Sequence, residues 1–129
     1  RSGAVRRCLG LLMNFLPDSV LRYLWAGMLS NVNELRTLSI AFVYLRGLDP
    51  CLEEGAHKMA NAISELQQDA FAEEGYLHRF LVDQHGLLLQ FAFGMPPLVH
   101  TDDPCRACRA CLRMASTALR FQLTSHAGV

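Results

Sequence analysis

The sequence predicts an α/β (α+β) domain, a ferredoxin-like βαββαβ sheet with both helices on one face, preceded by one or two N-terminal helices. Three observations carry this expectation. The run 37–45 is almost uninterruptedly apolar, with β-branched and aromatic residues, as suits a central strand buried on both sides. Residues 52–73 keep a helical apolar rhythm. Two strand-like runs then flank Asp83-Gln84-His85-Gly86, whose polar, glycine-ended chemistry marks a hairpin turn.

Before the first strand, Val5, Cys8, Leu9, Leu11, Leu12 and Phe15 recur at helical spacing over residues 4–15, with Arg6 and Arg7 on the other side. Pro17 suits the first turn of a second helix, in which Val20, Leu21, Leu24 and Trp25 form one face before Gly27 closes it. These helices and a linking segment, 29–34, form a lead-in over residues 1–34, and residues 35–129 form the main domain. The first strand is expected over residues 36–46, ended by Gly47 and Asp49-Pro50. In the following helix Ala56, Met59, Ile63, Leu66 and Ala70 face inward while Glu53, Glu54, Lys58, Glu65 and Asp69 face water, and Gly75 stops it. Strands over 76–82 and 87–93 pair antiparallel. Gly94-Met95-Pro96-Pro97 breaks the second, Asp102, Asp103 and Pro104 open a helix reaching residue 119, and residues 121–129 supply a last strand.

A chain of 129 residues with 51% hydrophobic residues is the size of one core-forming domain. Its 12 basic and 12 acidic residues cancel, so no global field draws it to nucleic acid or to an anionic membrane, and neither is expected as a partner. No apolar stretch approaches the roughly 20 residues that span a bilayer, and Arg1-Ser2-Gly3-Ala4 lacks the layout of a secretion signal. Cys8, Cys51, Cys105, Cys108 and Cys111 are an odd, clustered set unlike a secreted disulfide framework. A reduced, cytoplasmic setting is therefore expected, and the abrupt termini read as cuts through a longer protein.

Several segments, in order, carry a family resemblance. Phe15-Leu16-Pro17-Asp18-Ser19-Val20-Leu21 resembles the helix that precedes the catalytic domain in bacterial and soluble cyclases. Asn33-Glu34-Leu35-Arg36-Thr37-Leu38-Ser39-Ile40-Ala41-Phe42-Val43 is similar to the approach to that family's first strand, and Gly86-Leu87-Leu88-Leu89-Gln90-Phe91-Ala92-Phe93-Gly94 to its hairpin strand. The chain thus resembles a class III nucleotidyl cyclase catalytic domain, closest to the second catalytic half of soluble adenylyl cyclases. The resemblance implies a cyclase-homology domain cut short at its C-terminus.

In that family, two aspartates, one in the first strand and one beside the hairpin glycine, hold two magnesium ions. The resemblance puts Tyr44 and Leu87 at these positions. Neither a phenol nor an alkyl chain supplies the hard oxygen ligands that magnesium needs at neutral pH. Asp49 and Asp83 lie nearby but read as turn residues. The expectation is a domain that holds no cofactor and is inactive alone, with magnesium or manganese only on a partner half. Its partner is another cyclase-homology domain, and the shared product is cyclic AMP made from ATP. In second halves a lysine reads the base, and that position aligns with Arg79 or, given an ambiguous gap in the turn, with His85; a solvated edge-strand arginine is the plainer reading of Arg79. The transition-state asparagine and arginine would lie beyond Val129. The rival expectation is a catalytically dead scaffold or nucleotide sensor in a larger assembly. Soluble cyclase relatives are often associated with cilia and flagella, which makes an axonemal complex one setting for it.

Other patterns have plainer readings beside them. Cys105, Cys108 and Cys111 have the spacing of an iron–sulfur or zinc box without its fourth ligand, which His100, Asp102 or Asp103 would have to complete. The same i, i+3, i+6 spacing, continued by Leu112 and Ala115, reads as a buried helix face. Arg106, Arg109, Arg113 and Arg120 form a stripe that could meet phosphate or an acidic partner, or be a solvated face. Phe91 and Phe93 lack the basic and glycine residues of a base-stacking platform and read as core. No serine, histidine and acid triad stands out.

Overall fold

The computed structural model of the chain describes residues 2–27, 35–84 and 86–129. The chain divides into two compact units, Arg1–Arg36 and Thr37–Val129. The first unit holds α1 (Ser2–Met13) and α2 (Asp18–Trp25). Pro17 occupies the N-cap of α2, where its fixed φ and missing N–H do no harm. The expected linking segment, 29–34, lies outside the described residues.

The second unit runs β1 (Ser39–Arg46), α3 (Glu53–Ala72), β2 (Tyr76–Asp83), β3 (Gly86–Phe93), α4 (Asp103–Arg120) and β4 (Thr124–Gly128). It is a mixed α/β unit whose four strands form an antiparallel sheet in the order β2-β3-β1-β4. With the two helices of the first unit, the described residues contain four helices. None of these helices is long and apolar enough to cross a membrane.

Strand alternation builds the core. Ala41, Val43 and Leu45 on β1 and Leu87, Leu89, Phe91 and Phe93 on β3 are buried, and every one of them sits on the sheet face that α3 and α4 cover. Those helices contribute Ala62, Leu66 and Ala70 from α3, and Ala107, Ala110, Met114 and Ala118 from α4. Alanines on both contact faces let the helices lie close to each other and to the sheet. Complete burial of each large side chain stabilises the unit by about 1.5–3 kcal/mol. Phe91 and Phe93 are core, as the sequence suggests.

The buried stripe of α4 differs from the expected one. Ala107, Ala110, Met114, Thr117 and Ala118 point inward, while Cys105, Cys108 and Leu112 are exposed and Cys111 and Ala115 are half-buried. Two apolar stripes run side by side on this helix, and periodicity alone does not say which one the sheet covers.

Both long helices end in the same way. Glu74 after α3 and Gln122 after α4 take positive φ values of 62° and 57°. In each case two backbone N–H groups turn back to the helix, Glu74 N to Phe71 O and Gly75 N to Ala70 O, then Gln122 N to Leu119 O and Leu123 N to Ala118 O. This explains two differences from the sequence reading. The chain between residues 121 and 123 closes α4 instead of starting the last strand. Gly75 is required not as the left-handed residue but because a Cβ there would stand 2.3 Å from Phe93 Cε1.

Gln122 pays for a left-handed backbone that glycine adopts without steric penalty, and it is exposed. Gln122→Gly is expected to raise the unfolding free energy by about 0.5–1 kcal/mol, and Gln122→Val to lower it by at least as much, both read from urea midpoints at constant m.

Candidate functional site

The side of the sheet away from α3 and α4 carries Tyr44 and Arg79, two of the residues that the family resemblance singles out. Tyr44 pairs with Leu88 on β3 and with His126 on β4, and Leu45 pairs with Leu87. Adjacent strand positions point to opposite faces, so Tyr44 lies on the open face while Leu87, fully buried beside Leu45, lies in the core. The two positions expected to correspond to paired metal ligands therefore do not converge.

Tyr44 is held from two sides. Its hydroxyl donates to Asp83 Oδ1 at 3.3 Å. The Arg46 guanidinium lies 5.3 Å from the centre of its ring, within the range of a cation–π contact. Asp83 Oδ1 also accepts from Gly86 N at 2.9 Å, closing the hairpin. Asp49 Oδ1 accepts from Cys51 N at 3.0 Å in the turn ahead of α3. Both aspartates thus serve turns, as expected. Gly86 is fixed by contact: a Cβ there would stand 2.1 Å from Leu45 O on β1.

Arg79 is exposed on β2, and its Nε donates to Gln90 Oε1 at 2.8 Å, across the β2–β3 pair. This orients the guanidinium across the β2–β3 pair on the open face. His85 lies outside the described residues. Gln90 and Arg46, the groups that steer Arg79 and Tyr44, were not singled out from the sequence. For Gln90 the signal is the register, which a shift between Leu77 and Arg79 hides from simple alternation; for Arg46 it is the spacing of two residues from Tyr44 on one strand face.

No group of three metal-binding side chains comes together among the described residues. All five cysteines are free thiols, and burial, with Cys108 nearby adding to it, pushes the Cys111 thiol up.

The arginine stripe of α4 is an exposed face, as one reading of the sequence has it, and its guanidinium groups are paired with carboxylates. Arg109 Nε reaches Glu73 Oε2 at 2.9 Å, Arg113 Nε reaches Glu73 Oε1 at 3.3 Å, and Arg120 Nη2 reaches Glu65 Oε2 at 3.3 Å. Arg106 joins Asp102 Oδ1 at 2.9 Å and Glu74 Oε2 at 3.2 Å, and His100 Nε2 also contacts Glu74. Thr117 donates to Asp69 Oδ2 at 2.6 Å in the same seam. Glu73, with its side chain only 8% exposed at the C-terminal end of α3, sits where the helix dipole disfavours an anion, and two arginines offset this. No family model matches the chain, and no curated protein matches it.

Two predictions follow from these placements. Leu87→Asp would put a carboxylate in the core, so it is expected to lose at least the ~2–5 kcal/mol of a buried leucine truncation, read from the urea midpoint; Tyr44→Asp on the open face should leave the chain folded. The Arg106 guanidinium beside Asp102 holds its carboxyl below the ordinary value of 3.8, with Arg109 assisting. A lowered folded-state pKa means that the stabilisation is present above the unfolded value and is lost as pH falls through the folded one. Asp102→Asn should therefore flatten the acid limb of the stability profile below about pH 4, and an unchanged limb by circular dichroism would contradict the contact.

Proposed function

We propose that residues 35–129 form a ferredoxin-like cyclase-homology domain of the second-half type, inactive alone, that pairs with a metal-bearing cyclase half for the conversion of ATP to cyclic AMP and pyrophosphate. The observation that carries this reading is the pair of substitutions at the aligned metal positions. Tyr44 is tied to Asp83 and lies beside Arg46, and Leu87 is sealed in the core. A divalent cation does not fit these side chains, so the hard ligands would have to come from the partner. The strand order β2-β3-β1-β4, with two helices packed together on one face, supports the fold part of the reading.

On this reading the open face of the sheet meets the partner. Phe42, Leu81 and Leu88 give it an apolar centre, and Arg79, aimed by Gln90, is the group available to read a purine. An arginine offers a planar fork where the family's lysine offers a point donor, so the base contact would be geometrically stricter.

The second reading, a catalytically dead scaffold in a larger assembly such as a ciliary axoneme, is favoured by one observation. Tyr44 and Arg79, the polar groups at the aligned positions, both have partners inside the chain.

Mixing the purified chain with a metal-bearing cyclase half, in ATP and magnesium or manganese, should raise cyclic AMP formation above that of the half alone. Arg79→Ala should lower the gain and Leu112→Ala, on a separate surface, should not. No gain over the half alone rejects the proposal, and an absence of ATP binding to the mixture by calorimetry would transfer the chain to the scaffold reading.

A further inference from the structure

The two edges of the sheet are built differently. The β2 edge is interrupted by a register shift between Leu77 and Arg79 and bears His78, Arg79 and Asp83. Bulges and charges of this kind keep an edge from pairing with another chain. The β4 edge has neither. β4 has β1 as its neighbour in the sheet, pairs with it in unbroken register, and consists of Thr124, Ser125, His126, Ala127 and Gly128 without lysine, carboxylate or proline.

Beside that edge runs the outward stripe of α4. Cys108, Leu112, Ala115 and Leu119 follow one another at i, i+4, i+7 and i+11, and Leu112 and Leu119 are 72% and 73% exposed. The stripe bears no charge, because Arg109, Arg113 and Arg120 reach the other way to the carboxylates of α3. Cys108, Leu112 and Ala115 join Ala127, Gly128 and Val129 in lining a concavity of about 470 Å³ between helix and strand. Among the described residues no strand pairs with the outer side of β4, and this edge and an apolar helix face open onto the same space.

We infer that this surface pairs two copies of the chain about a two-fold axis, β4 against β4 and α4 against α4. A two-fold through His126 sets Thr124 opposite the second copy's Gly128 and supplies hydrogen-bond partners to both edges at once. Geometry fits the helices to the same operation. Paired strands lie about 4.8 Å apart. Since α4 packs on both β1 and β4, its axis sits to the inner side of β4, and the two helix axes come about 10 Å apart, the ordinary packing distance. The two uncharged stripes then meet, and Leu112 from each copy enters the other's concavity. A foreign strand would fill the edge but leave much of Leu112 and Leu119 in water. The formal net charge of zero adds no long-range repulsion between copies. A five-residue strand and one helix seam is small beside the ~800 Å² per partner of a standard interface, so the dimer should be of micromolar strength.

This interface rests on residues other than Tyr44, Leu87 and Arg79 and does not depend on the cyclase reading. Sedimentation equilibrium of the 129-residue chain under reducing conditions tests it. The mass should rise from 14.4 kDa toward twice that value with concentration. Amides of Thr124–Gly128 should gain exchange protection over the same range. Leu112→Glu and Ala127→Lys should each weaken association tenfold or more with an unchanged circular dichroism spectrum, and Phe80→Glu on the β2 edge should not. A 14.4 kDa mass at every concentration, which would leave the edge to a foreign strand, overturns the inference. A dimer indifferent to both substitutions overturns it equally.

Discussion

The register between β1 and β3 is the constraint on which the rest of the second unit depends. Setting Leu45 opposite Leu87 and Tyr44 opposite Leu88 sends one pair into the core and leaves the other on the open face. A slip of β3 by one residue against β1 would turn Leu87, Leu89 and Phe91 to the open face and bring Leu88 and Gln90 toward the core. Gly86 helps to hold the alignment, because its Cα approaches Leu45 O more closely than any side chain would allow. The Asp83 carboxylate secures the same corner by accepting from both Gly86 N and Tyr44.

Against this sheet, the two long helices meet through small apolar residues at their centre and through charge at their flank. Ala62, Ala70, Ala107, Ala110 and Ala118 permit a close approach, which in turn brings the arginines of α4 within reach of the carboxylates of α3. Isolated surface ion pairs contribute little, yet the near-buried Glu73 shared by Arg109 and Arg113 makes this seam a network with a defined direction. Its consequence reaches past stability. By drawing the guanidinium groups toward α3, the seam leaves the β4 side of α4 uncharged and apolar. A stripe that reads in sequence as a basic surface is an exposed seam paired with acid, and the helix surface beside it is apolar.

Functional chemistry at the open face is shaped more by what is held than by what is offered. Tyr44 and Arg79 have fixed partners, and Leu87 is withdrawn from solvent. The face combines apolar area from Phe42, Leu81 and Leu88 with a few oriented polar groups, a composition suited to meeting another protein surface.

The sequence by itself determined the order of the elements, because the local signals are strong. The apolar run of β1, the period of α3, the Asp83 to Gly86 turn and the Asp103-Pro104 start of α4 each depend on near neighbours in the chain. It also set Tyr44 and Leu87 apart as the positions that a resemblance to the cyclase family would align with metal ligands. Only the tertiary structure decided that these two positions face opposite ways, that Gln90 aims Arg79, and which of two apolar stripes on α4 is buried. Glu74 and Gln122 show the same division at the helix ends, since a residue without glycine's freedom takes the left-handed turn when the packing around Phe93 or Leu123 requires it. In every such case the deciding contact joins residues far apart in the chain, and no local period or propensity encodes it.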